Sequence, residues 1–93
     1  MKVKVRKFGE ILTSRPAGRD ASLTIKACFK PELSERIELD FNGVLAVSPG
    51  WLDEVLNLLR NEYGTERVIC LPSKNASVKE SLKIIEEQPG QQS

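Results

Sequence analysis

Two adjoining patterns between Pro49 and Leu71 constrain this chain most. Leu52, Val55, Leu56 and Leu59 recur at i, i+3, i+4 and i+7, the spacing that gathers apolar side chains on one face of a helix. Tyr63-Gly64 supplies a glycine stop. Arg67-Val68-Ile69-Cys70-Leu71 follows as an apolar run of strand length, the pattern of a central strand covered on both faces. A helix that feeds straight into a buried strand predicts an α/β chain.

The flanking segments extend the alternation. From Lys2 to Phe8, Val3 and Val5 alternate with Lys2, Lys4 and Arg6, a period of two that predicts a half-exposed strand. Its lysines read as a guard against edge-to-edge pairing, with nucleic-acid contact as the weaker alternative. Gly9-Glu10 predicts a turn, and Ile11-Leu12-Thr13 a short strand folded back as a hairpin. Ser14 as N-cap and Pro16 in the first turn open a helix carrying Ala17, Ala21, Ile25, Cys28 and Phe29 on its apolar face, closed by Pro31. Cys28 is therefore expected to be inert packing. Arg36 to Phe41 predicts another strand, with Ile37, Leu39 and Phe41 on one side. Pro72 to Asn75 reads as a loop, and Ser77 with Glu80 as a capping box for a third helix with Val78, Leu82 and Ile85 on its buried face. The expected architecture is one domain over residues 1–87, followed by a disordered polar tail over 88–93. It is a small mixed, mostly parallel four-stranded sheet with about three helices packed against it.

Composition narrows the function. The chain has 93 residues, 14 Lys and Arg against 13 Asp and Glu, and no histidine. A net charge of +1 supplies no field to draw in nucleic acid or an anionic membrane. Without histidine, Ser–His and Cys–His nucleophile pairs and the commonest metal ligand are absent. Cys28 and Cys70 alone cannot build a structural zinc site, so no metal and no cofactor is expected. No run approaches the roughly 20 apolar residues of a membrane span, and no signal-peptide core follows the basic start. A cytoplasmic, non-enzymatic protein is the expectation.

In a parallel sheet, the loops leaving the carboxyl ends of the strands gather on one edge, where ligands and partners bind. Here those loops are Thr13-Ser14-Arg15, Asn42 to Pro49 and Pro72 to Asn75. Ser48 stands just before the second helix. It reads either as an ordinary N-cap or as a phosphoacceptor, since a phosphate there would meet free N–H groups and the helix dipole. Asp53 and Glu54 lie in the first turns, where negative charge suits the dipole. Arg15 and Arg19 are a solvated face, an anion-recognition pair beside Ser14, or a salt-bridge partner of the Asn42–Ser48 loop. Trp51 lies off the leucine stripe, as packing or as a contact residue. No glycine-rich phosphate loop exists.

Taken together, Ile37-Glu38-Leu39-Asp40-Phe41-Asn42-Gly43-Val44 and Ser48-Pro49-Gly50-Trp51-Leu52-Asp53-Glu54-Val55-Leu56 resemble the STAS-like domain family, relatives of the STAS domains of anti-sigma factor antagonists. Ile11-Leu12-Thr13-Ser14-Arg15, with Gly18 soon after, looks like that family's Leu-Thr-Ser-Arg-x-x-Gly stretch, and Asn75 also fits. The resemblance spans about Ile11 to Ile85. It implies a STAS-like fold and a regulatory protein-interaction domain whose partner is a histidine-kinase-like ATPase or an anti-sigma factor. It also implies Ser48 as phosphoacceptor, beside a face formed by Asn42, Gly43, Pro49, Trp51, Asp53, Glu54, Ser14 and Arg15. Two alternatives stand beside it: a small-molecule or nucleotide module using the same edge as an anion site, and a homodimerising structural domain.

Overall fold

The computed structural model describes residues 1–32 and 34–86; the tail expected over 88–93 lies outside them. Ten elements make up the described residues. Strand β1 (Lys2–Lys4) runs into a 3-10 turn over Val5–Phe8, then strand β2 (Ile11–Leu12) and helix α1 (Arg15–Cys28). Strand β3 (Ile37–Asp40), strand β4 (Ala46–Val47) and helix α2 (Pro49–Tyr63) follow. A 3-10 turn over Thr65–Arg67 leads to strand β5 (Val68–Cys70) and helix α3 (Ala76–Glu86). The α/β class and the three helices are therefore as expected.

The strands do not form one four-stranded sheet. They form a three-stranded sheet in the order β1-β3-β5 and a separate pair, β2-β4, and every pairing is parallel. Three expectations change as a result. The segment Lys2–Phe8 stays extended only to Lys4, because its neighbour β3 ends at Asp40, directly opposite Lys4. Beyond that point Val5 has no strand to pair with and coils into the 3-10 turn. The expected hairpin is also absent. Ile11 and Leu12 pair instead with Ala46 and Val47, inside the stretch read from sequence as a loop. Finally, β3 is the central strand and β5 an edge. Ile37 and Leu39 are fully buried and Phe41 nearly so, whereas Ile69 and Cys70 on β5 are half-buried.

The stripe on α2 seals the core as its spacing predicts, with Leu52, Val55, Leu56 and Leu59 all buried. This helix packs against α1, α3 and β5. On α1 the buried face is Gly18, Ala21, Ser22 and Ile25, and the Ser22 hydroxyl is satisfied by donating to the Gly18 carbonyl at 2.9 Å. Cys28 is exposed, contrary to its expected burial. The backbone turns extended at Phe29 (φ −111°, ψ 130°), so Phe29 reaches the core in its place. At the C-terminal end of α2, Arg67 Nε donates to the Glu35 carbonyl at 3.0 Å and its Nη1 to the Tyr63 carbonyl at 3.3 Å, tying β5's entry to two neighbouring segments.

Candidate functional site

The two short strands of the β2-β4 pair each run directly into a helix. Because they are parallel neighbours, the helix starts that follow them also lie side by side. Ser48 N–H donates to the Leu12 carbonyl at 2.8 Å, so the cap of α2 is stitched to the strand that leads into α1. Both caps are serines followed within two residues by proline. Ser14 Oγ accepts the Ala17 N–H at 3.3 Å, and Ser48 Oγ accepts the Trp51 N–H at 3.1 Å. Proline suits these positions because the first-turn N–H has no intrahelical acceptor to lose.

The two helices approach closely at Gly18. A methyl group placed there would stand 2.7 Å from the Trp51 carbonyl oxygen and 3.2 Å from Glu54 Cβ. At that separation Arg15 reaches across. Its Nη1 lies 2.9 Å from Asp53 Oδ2 and 3.4 Å from Glu54 Oε1. These carboxylates hold Arg15 still more firmly protonated, the Asp53 hydrogen bond contributing most. Asp53 and Glu54 sit beyond the first turn of α2, which contains no acidic residue. Their carboxylates serve Arg15, not the helix N–H groups. Adjacent carboxylates on one helix thus converge on one guanidinium.

Asn42 and Gly43 occupy the turn after β3. Asp40 Oδ1 accepts the Asn42 N–H at 3.0 Å, and the Val44 N–H donates to the Phe41 carbonyl at 3.0 Å. Gly43 has φ +90°, a left-handed conformation that costs a residue with a side chain energy, and a Cβ there would lie 2.5 Å from Arg6 Cδ. Asp-Phe-Asn-Gly-Val therefore encodes a tight turn. Asn42 and Gly43 are exposed on it. Beside the turn a cleft of about 360 Å³ is lined by Asp40, Asn42, Pro72, Ser73 and Lys74.

The three expected loops do meet. Asn75 Nδ2 donates to the carbonyls of Val44 and Leu45, at 2.7 and 3.1 Å, bringing the start of α3 onto the segment that precedes Ser48. Asn75, not Ser77, is the cap of α3, since its Oδ1 accepts the N–H groups of Ser77 and Val78 at 2.8 and 3.2 Å. The Ser77 hydroxyl is occupied by Val47. Ser14, Arg15, Asn42 and Gly43 are exposed; Ser48, Pro49, Asp53 and Glu54 are half-buried. Trp51 is only 1% exposed, so its side chain belongs to the core and offers a partner no surface.

Two residues that the sequence did not mark as part of a site stand out. Ile11 and Leu45 are 67% and 63% exposed, and they flank one backbone junction, where the Leu45 N–H donates to the Glu10 carbonyl at 2.8 Å. For Leu45 the sequence offers only the apolar run Val44 to Val47. Nothing in it tells which member faces water. Among the described residues no helix is long and apolar enough to cross a membrane. Comparisons of the chain with protein-family models, with curated proteins and with solved structures return no match.

Proposed function

We propose that the chain is a non-enzymatic regulatory protein-interaction domain of STAS-like type, working in the cytoplasm. Its partner is an ATPase of the histidine-kinase-like type or an anti-sigma factor. The docking face is the end of the molecule where β2 and β4 enter α1 and α2. One observation carries this reading: two large aliphatic side chains, Ile11 and Leu45, are held in water at the junction beside the paired serine caps. An apolar contact rimmed by polar groups is what a protein partner uses.

Ser48 is the phosphoacceptor of this reading. A phosphate on its hydroxyl would take over the cap of α2 and gain the free N–H groups of the first turn. Arg15 is near enough to respond, since its Nε and the Ser48 Oγ each lie 3.9 Å from the position a Gly50 methyl would occupy. The alternative anion-binding reading draws less support, because Arg15 is already matched by two carboxylates.

Co-purification from the native cells tests the proposal, using the wild-type chain beside Ile11→Glu and Leu45→Glu variants checked for unchanged thermal unfolding. The expected result is an ATPase-type or anti-sigma partner held by wild type and lost from both variants, with phosphate on Ser48 by mass spectrometry. Finding no such partner and no phosphorylated serine would refute it. Calorimetry against a nucleotide panel separates the alternative, which requires heat of binding.

A further inference from the structure

Helix α3 is held to the domain in an unusual way. Val78 is its one fully buried apolar side chain, while Leu82 and Ile85 pack only in part. The helix packs against α2 as well, and its polar contacts are aimed at a single strand and the residues leading into it. On one side β4 pairs with β2. On the other, where a further strand would stand, side chains from α3 and its cap take the backbone groups. Ser77 Oγ accepts the Val47 N–H at 2.9 Å and lies 3.0 Å from the Val47 carbonyl. The buried Ser81 hydroxyl donates to that carbonyl at 2.7 Å, and Asn75 Nδ2 serves the carbonyls of Val44 and Leu45. A helix thus satisfies a strand edge that buried backbone groups require to be filled.

Such a closure is easier to undo than a ladder. Each polar bond contributes a factor of about ten or less to the closed population, and a helix of 11 residues does not persist alone in water. If α3 lifts, it melts, and the β4 edge opens with it in one step. The β1-β3-β5 sheet and the α1–α2 pair keep their own contacts. We infer that α3 is a latch on β4: its reversible release exposes the backbone edge of Val44 to Val47 and frees one side of the segment leading into Ser48, with the remainder folded. This goes beyond the functional reading above and holds whether or not Ser48 carries phosphate.

Native-state hydrogen exchange on the full chain, at low denaturant concentrations, tests the latch. The amides of Val47 and of Val78 to Ile85 should exchange as one group, at least about a hundredfold faster than those of β3 and of Val55 to Leu59. They should also depend less steeply on denaturant, since a local opening exposes less surface. Ser81→Ala should accelerate that group about tenfold. Ile25→Val, in the α1 core, should speed exchange in β3 and leave the group unchanged, because α1 stays folded in the open form. The latch is overturned if Val47 and α3 share the rate and slope of β3, if they exchange separately, or if Ile25→Val accelerates both sets alike. Should Ser81→Ala fail to fold, the wild-type profile and Ile25→Val decide the matter.

Discussion

Gly18→Ala sets two effects of known size against each other, and the geometry decides the sign. In a helix interior alanine is favoured over glycine by about 1 kcal/mol. Against this, the new methyl would stand 2.7 Å from the Trp51 carbonyl oxygen, closer than carbon tolerates, and 3.2 Å from Glu54 Cβ, a tight contact. The obstacle is backbone, so no side-chain rotation relieves it. Either α1 and α2 separate by several tenths of an ångström or α2 shifts on the core. Overpacking of this kind costs about 1–3 kcal/mol, and the rigidity of the carbonyl places the cost towards the upper end. The net expectation is a loss of about 1–2 kcal/mol, which for a domain of this size lowers Tm by roughly 5–15 °C. Gly50→Ala is the control. Its nearest neighbours, Arg15 Cγ at 3.4 Å and Ser48 Oγ at 3.9 Å, are at ordinary contact distance, so its effect should stay within about 0.5 kcal/mol. Thermal and urea unfolding followed by circular dichroism read both variants. If Gly18→Ala raised Tm by the roughly 4–8 °C that propensity alone supplies, the close approach of the two helices would be refuted.

Asn75→Asp keeps an acceptor for the α3 cap but removes the amide that serves Val44 and Leu45, so it should destabilise by about 1–2 kcal/mol in urea unfolding, and Asn75→Ala by more. Burial pushes the Cys70 thiol up to about 11, while Cys28 is exposed; at pH 8 a thiol reagent should therefore modify Cys28 first, with Cys70 following only through opening. The same shift fixes a sign. Between the ordinary thiol value of about 8.5 and about 11, the unfolded chain loses a proton that the folded chain keeps, so stability should fall as pH rises through that window. Arg15→Gln should cost under about 1 kcal/mol, and the difference from wild type should shrink in high salt, because Arg15 is more than half exposed. Trp51 emission should be blue-shifted and resistant to acrylamide quenching in the folded protein, shifting red on denaturation; quenching as efficient as in the unfolded chain would contradict its burial.

What could be read from the sequence was what repeats over many residues. The α2 stripe recurs over two turns, and each of Leu52, Val55, Leu56 and Leu59 lies where its spacing puts it. Two-residue strands leave no period to detect, so β2 looked like a hairpin arm and β4 like loop. Their pairing depends on backbone bonds between segments more than thirty residues apart, which no local pattern encodes. Cys28 failed for a related reason. Its position continues the α1 face, but the face ends where the backbone extends at Phe29.

The candidate site divides along the same line. Ser14, Ser48 and the prolines after them are local signals, and both caps formed as written. Asp53 and Glu54 were legible as acidic residues near a helix start, but their common partner was not. That partner is fixed by how near α1 comes to α2, and this depends on the absent side chain at Gly18. A glycine in a helix normally counts against the helix. Here it sets the helix separation at which one guanidinium spans two carboxylates, and so it fixes the charge that any phosphate on Ser48 would meet. The residue that contributes no chemistry to the face therefore determines which of its charges are free, and Gly18→Ala should weaken the Arg15 pairing along with the fold.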